Sequence, residues 1–325
     1  MESTISQANL YFVEKRYQET IDACHKILSE DTNSIEAYKL IAKTFLALDQ
    51  IEKAQQYLNK ALIIKENDCE IIKDLGNIYK SLGEVLIAKD YYMRALSIDS
   101  NYAPALINLG NIETNEGNKE KGILLLIKAT KCAPNLIQAW GNLANAYVKM
   151  GKLEEAELVC NKTLKTHPNL FNFHFLLASI LMKRNKLKEA ESSLRKTIEL
   201  NSNFAEAYSN LGVILVELQK LEEAEIYIRK SIELNPTLFN THFLLGSIRY
   251  KQNKFEDAKI HFLKSIELNP NFYQALANLG GVLINLGKLK DAEIYTRKAL
   301  AINPDYGQAY SNLGRILGDL GKLNE

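Results

Sequence analysis

The sequence predicts an all-α fold, a row of antiparallel helix hairpins stacked one on the next. Three observations carry this. Five of the six prolines, Pro134, Pro168, Pro236, Pro270 and Pro304, are separated by 34 residues or twice that, and a fixed period of this size marks a stacked repeat. Laid out at that period, the chain needs no insertion or deletion, and its eighth column holds only alanine or glycine, from Ala8 and Ala42 to Gly280 and Gly314. Columns 4, 7, 8 and 11 follow the i, i+3, i+4, i+7 spacing of one helix face. Valine occurs only seven times, too rarely for the Val-rich strands of a large parallel sheet.

The elements follow in order within each repeat. The first helix carries leucine in column 7 from Leu75 to Leu313, after Gln7 and Ile41. Its neighbour, the small column 8, lets a second helix approach to about 8–10 Å between axes. Column 15 holds Gly83, Gly117, Gly151, Gly287 and Gly321; glycine there adopts the left-handed conformation that ends a helix. The second helix opens with acidic residues, as in Glu154-Glu155, which suit a helix N-terminus. Its column 20 is small again (Ala54, Ala88, Gly122, Ala156), and proline at column 32 forces the turn into the next repeat. Length alone would suggest about two globular domains. The period replaces them with one array over residues 1–325: repeats 1–34, 35–68, 69–102, 103–136, 137–170, 171–204, 205–238, 239–272 and 273–306, and a partial tenth, 307–325.

Composition sets limits on function. At 46% apolar, 24% charged and a net charge of +1, the chain is ordinary folded protein. Its neutrality argues against a dedicated nucleic-acid binder. No run has the length of a signal peptide or a membrane span, so the expected location is the cytoplasm, away from membranes. Cys24, Cys69, Cys132 and Cys160 form no Cys-x-x-Cys pair, so no zinc or redox site is expected. His174 and His242 sit in equivalent columns two repeats apart and share no metal. Neither a metalloprotease helix motif nor a phosphate-binding loop is present. No catalytic residue, cofactor or metal is expected.

Trp140-Gly-Asn-Leu143-Ala144-Asn-Ala-Tyr147, followed by Ala156, Cys160 and Pro168, resembles the tetratricopeptide repeat signature. The resemblance covers essentially the whole chain and is similar to bacterial and cyanobacterial arrays of this family. It implies a right-handed α-solenoid, a superhelix whose first helices line a concave groove used for binding. Thr4 and Gln7 in the first repeat depart from the pattern, as do the charged Glu113 and Arg249 in core column 11. Those two charges are expected to snorkel to water, with local loosening as the alternative.

By the resemblance, columns 2, 5, 6, 9, 12 and 13 face the groove. Early repeats place Lys73, Asn77, Asn108, Asn111, Asn142 and Asn145 there, and column 6 continues with Asn210, Asn278 and Asn312. Each carboxamide both donates and accepts hydrogen bonds, which suits the main chain of an extended peptide. The series resembles the asparagine ladder of the repeat arm of O-linked N-acetylglucosamine transferase. Bonding to neighbouring repeats is the competing reading. Lys73, Asn77 and Asn108 also match the start of the family's carboxylate clamp, which Gln138 and Asn142 leave incomplete. Leu176 and Leu244 interrupt the ladder and are expected to pack between helices, while Phe175, Phe243 and Tyr250 are expected to face a ligand. The expected function is a non-enzymatic scaffold that binds a peptide or partner protein. The alternative is the substrate-recognition arm of a larger glycosyltransferase, sulfotransferase or oxygenase. Leu313, Ile316, Leu317 and Leu320 are expected to lack a partner helix before Leu323-Asn324-Glu325. This suggests a truncated chain, or self-association through the open helix.

Overall fold

A computed structural model of the protein describes residues 4–322, and every regular element among them is an α-helix. Leu323, Asn324 and Glu325 lie outside the described residues. The helices divide into two compact units, Met1–Val159 and Cys160–Glu325. The N-terminal unit holds α1 (Ile5–Val13), α2 (Tyr17–Glu30), α3 (Ile35–Ala47), α4 (Ile51–Ile64) and α5 (Cys69–Ser81). It continues with α6 (Val85–Ile98), α7 (Ala103–Asn115), α8 (Lys119–Cys132) and α9 (Ile137–Met150). The division falls inside α10 (Leu153–Thr166). The C-terminal unit holds α11 (Phe171–Lys183), α12 (Leu187–Leu200), α13 (Ala205–Glu217), α14 (Leu221–Leu234) and α15 (Phe239–Lys251). It ends with α16 (Phe255–Leu268), α17 (Tyr273–Asn285), α18 (Leu289–Ile302) and α19 (Gly307–Asp319).

Consecutive helices pack on one another from α1 to α9 and from α11 to α19, and first helices also touch first helices, as α7 does α9 and α15 does α17. Within a unit, the core lies between the two helices of a hairpin and the first helix that follows. In the N-terminal unit it is built on Leu40, Ile41, Leu58, Ile71 and Leu75, and in the C-terminal unit on Phe262, Leu279, Val282 and Ile316. Each fully buried side chain of this size contributes about 1.5–3 kcal/mol.

The small eighth column has a specific partner. A Cβ added to Gly76 would lie 2.7 Å from the Tyr92 ring, and one added to Gly246 would lie 2.9 Å from Phe262. Column 8 therefore stays small because column 24 of the same hairpin fills the space above it. Column 15 behaves the same way in every repeat. Gly83, Gly151 and Gly287 have φ of 80°, 81° and 71°, and Lys15, Asp49, Asn185, Gln219 and Asn253 adopt the same left-handed backbone. The turn geometry is thus imposed by packing even where no glycine relieves it.

One recurring contact has a sequence signal that is easy to overlook. Polar aromatic side chains in column 4 reach back six residues to the carbonyl at the repeat joint. Trp140 Nε1 donates to Pro134 O at 2.8 Å, and Tyr38 and Tyr208 donate to Thr32 O and Ser202 O at 3.2 Å. His174 and His242 fill the same role toward Pro168 and Pro236.

Three sequence expectations are corrected. Glu113 and Arg249 do not snorkel, and both are buried. Glu113 is held by Lys89 at 3.0 Å, Lys121 at 2.9 Å and Asn118 at 2.8 Å. Burial would raise its carboxyl pKa, but hydrogen bonds from Lys121, Asn118 and Lys89 outweigh that and hold it down at about 2. Arg249 is paired with Glu225 and donates to Gln252 at 2.8 Å. Of the four residues expected to lack a partner helix, Ile316 and Leu317 are buried while Leu313 and Leu320 are half-buried, because α19 packs on both α17 and α18. Thr4 departs from the repeat pattern for a local reason: it caps α1, its hydroxyl accepting from the Gln7 amide at 3.2 Å.

Candidate partner-binding site

The stripe that the sequence assigns to the groove lines an open cleft in the N-terminal unit. Helices α1, α3 and α5 bound a pocket of about 460 Å³, where Lys39, Lys43 and Lys73 alternate with Glu36, Glu70 and Asp74. The charges are internally matched: Lys39 pairs with Glu70 of the next repeat, and Lys73 with its neighbour Asp74. The Lys43 ammonium lies 4.7 Å from the Phe12 ring centroid, a cation–π contact. Leu40 and Leu46 give the cleft an apolar wall.

The asparagines of the stripe separate into two groups. Asn77 is a hub whose Oδ1 accepts from both Tyr92 Oη and Asn108 Nδ2 at 2.8 Å. Burial pushes the Tyr92 phenol pKa up, with Asp74 adding to it, so the hydroxyl remains a donor. Asn278 Oδ1 accepts from Gln308 Nε2, and Asn312 Nδ2 donates to Ala277 O, each at 2.9 Å. These four carboxamides join one repeat to the next. The second group is differently placed. Asn142 Nδ2 is buried with no hydrogen-bond partner, Asn111 is half-buried and Asn145 is exposed. Asn210 lines a pocket of about 110 Å³ with Glu206 and Asn240.

The aromatic residues lie in the C-terminal unit. Phe175 is half-buried, its ring edge-on to Phe204 at 4.7 Å between centroids. Phe243 repeats this against Phe272 at 4.9 Å. Leu176 and Leu244 are also half-buried. Tyr250 is exposed, and its hydroxyl accepts from Asn285 Nδ2 at 3.1 Å. Sequence reasoning did not find the links from Asn77 to Tyr92 and from Lys39 to Glu70. The second had a signal: opposite charges in column 5 of one repeat and column 2 of the next.

Among the described residues no three His, Cys, Asp or Glu side chains cluster as metal ligands, and no helix is long and apolar enough to cross a membrane.

Hairpins repeated every 34 residues, with one first-helix face lined by Asn and Lys, define a stacked-repeat protein of the interaction type. Profiles described as tetratricopeptide repeat match residues 12–75, 74–102, 137–170, 171–204, 205–238, 239–272 and 261–294. The chain belongs to the tetratricopeptide repeat family, whose fold serves protein interaction. A search of curated proteins gives no match. Among solved structures, the chain is similar to one in the APC/C hetero-tetramer Cut9–Hcn1. That likeness has 16% identity and a TM-score of 0.55 over 96% of this chain and 55% of that one. It is also similar to PilF of Pseudomonas aeruginosa, with 20% identity and a TM-score of 0.56 over 64% of this chain and 94% of that one. At these identities the likeness is one of fold.

Proposed function

We propose that this chain is a non-catalytic scaffold that takes an extended segment of a partner protein along its first-helix face, with Asn111, Asn142 and Asn145 bonding to the segment's main chain. The observation that carries this reading is the buried Asn142 Nδ2 with no partner. A desolvated amide left unpaired costs about 1–3 kcal/mol, and a ligand carbonyl placed against it recovers that cost. Asn111 and Asn145, on the same helix face one repeat apart, extend the line. Asn77 and Asn108 serve this reading indirectly, by holding α5 and α7 at a fixed spacing.

The test uses peptides selected from a random library against the intact chain. Replacing Asn111, Asn142 and Asn145 together by Ala is expected to weaken the selected peptides by about tenfold or more, with helicity and melting nearly unchanged. Unchanged affinity in that variant would sink the reading. Asn77→Ala, by contrast, is expected to lower the melting temperature.

A further inference from the structure

The second-helix face of the C-terminal unit carries a regular device that fails at one place. In α12, α14 and α18, a glutamate in column 21 pairs with an arginine one turn later. The pairs are Glu191–Arg195 at 2.7 Å, Glu225–Arg229 at 2.8 Å and Glu293–Arg297 at 2.9 Å. In α16 the same two positions are Lys259 and Leu263. Elsewhere column 21 also reaches the polar column-11 group of the next repeat, as Gln55 does Tyr79 and Glu225 does Arg249. Here that group is Leu283, which offers no hydrogen bond.

An open slot lies at this place, between α16 and α18. It measures about 330 Å³, has Leu279 and Leu283 at its base, and has Leu263, Ile294 and Tyr295 along its sides. That volume sits at the lower end of the roughly 300–1,000 Å³ typical of ligand pockets. Leu263 is 38% exposed and Ile294 53%. The rim is cationic. Lys259, Lys288 and Lys298 stand around the slot with a single lining carboxylate, Asp291. Lys259 and Lys288 share one further carboxylate, Glu256. The ammonium of Lys298 rests 5.5 Å from the Tyr295 ring centroid, with no carboxylate partner among the described residues.

We infer that this slot is a second docking site, separate from the first-helix face, for an acidic segment of a partner protein. The segment inserts large aliphatic side chains between α16 and α18 and sets carboxylates against Lys259, Lys288 and Lys298. An exposed apolar patch marks an interaction surface. Charge complementarity at its rim selects the sign of the partner and speeds the encounter.

The test uses the full chain and two labelled helical peptides of about 14 residues, four turns. Both carry leucines at i, i+3 and i+4; one is flanked by glutamates and the other by lysines. In fluorescence anisotropy the acidic peptide is expected to bind at least about tenfold more tightly than the basic one. The double variant Lys259→Glu, Leu263→Arg installs the pair that neighbouring helices make. It is expected to weaken the acidic peptide about tenfold without changing helicity. Lys298→Glu, an exposed change that leaves packing alone, is expected to weaken it severalfold. Equal binding of the two peptides, or insensitivity to both variants, would overturn the inference. So would two other outcomes: binding only to vesicles containing phosphatidylserine, or a concentration-dependent dimer that the double variant abolishes.

Discussion

Column 11 carries a buried charge in each compact unit, and the two charges are opposite. In the N-terminal unit Glu113 is neutralised by Lys89, 24 residues earlier; in the C-terminal unit Arg249 is neutralised by Glu225, also 24 residues earlier. Gln55 and Tyr79 make an uncharged version of the same contact at 2.7 Å. The pairing is a property of the repeat: column 21 of one hairpin lies against column 11 of the next. Either sign is tolerated at the core position provided its counterpart changes with it. The comparison also shows why Lys259 is out of place. It stands in column 21 opposite Leu283, and the surface opens beside it.

The largest expected effect comes from cutting one side of this pairing. Lys89→Leu with Lys121→Leu strands the Glu113 carboxylate in the core, at an expected loss of about 3 kcal/mol in urea unfolding. Adding Glu113→Leu to that background is expected to recover most of the loss, since an apolar group then fills the column. In the C-terminal unit Glu225→Leu is expected to cost less, about 1–2 kcal/mol, because Arg249 keeps Gln252 and a long stem that can carry its charge outward. Equal costs at the two sites would break the comparison.

Acid separates the units further. Burial depresses the His261 pKa below its ordinary 6.5, and His242, Arg229 and Arg249 push it the same way while Asp257 opposes them. The unfolded chain then takes up this proton before the folded one does. The contribution is fully present above pH 6.5 and is lost as pH falls below it. Glu113 works in a lower window. Its carboxyl is held at about 2 against an ordinary 4.5, so its stabilisation is full above 4.5 and is lost between 4.5 and 2. Hydrogen exchange, corrected for intrinsic rates, is therefore expected to show α16 losing protection between pH 7.5 and 5.5 while α7 keeps it. His261→Gln is expected to flatten that difference. Parallel losses in both units would contradict it.

The smallest effect concerns the turns. The N-terminal unit has glycine at three consecutive left-handed positions, Gly83, Gly117 and Gly151, where the C-terminal unit has Asn185, Gln219 and Asn253. Gln219 is the least suited of these residues to φ of 60°. Gln219→Gly is expected to raise stability by up to about 1 kcal/mol, read as a higher melting temperature.

Much of the fold was legible in the residues. The small eighth column, the glycine turns and the proline joints placed both helices of each hairpin, because those signals act through local dihedral preference and short-range helix periodicity. The candidate site was legible only as a face. Columns 5, 6 and 9 did line the cleft, yet the sequence did not separate an asparagine that binds its neighbour, such as Asn108, from one with an unpaired amide, such as Asn142. Both are the same residue in the same column, and their difference lies in what the adjoining repeats present to them. Glu113 and Arg249 were misjudged for a related reason. Lys89 and Glu225 sit on the preceding hairpin and Lys121 on the second helix of Glu113's own, so the helical stripe that contains the two charges gives no sign of partners.

The sequence by itself determined the repeat, its length, the class of fold and which face of each helix is buried. These depend on the period of apolar residues and on the backbone tolerance of glycine and proline, all properties of contiguous segments. The tertiary structure decided which polar groups meet, and with that the difference between a spacer asparagine and one with a buried, unpaired amide, the burial of two opposite charges, and the slot beside Lys259. Many of those outcomes join residues 24 to 35 positions apart, and a pairing at that distance exists only once neighbouring hairpins have packed and set the spacing between their columns.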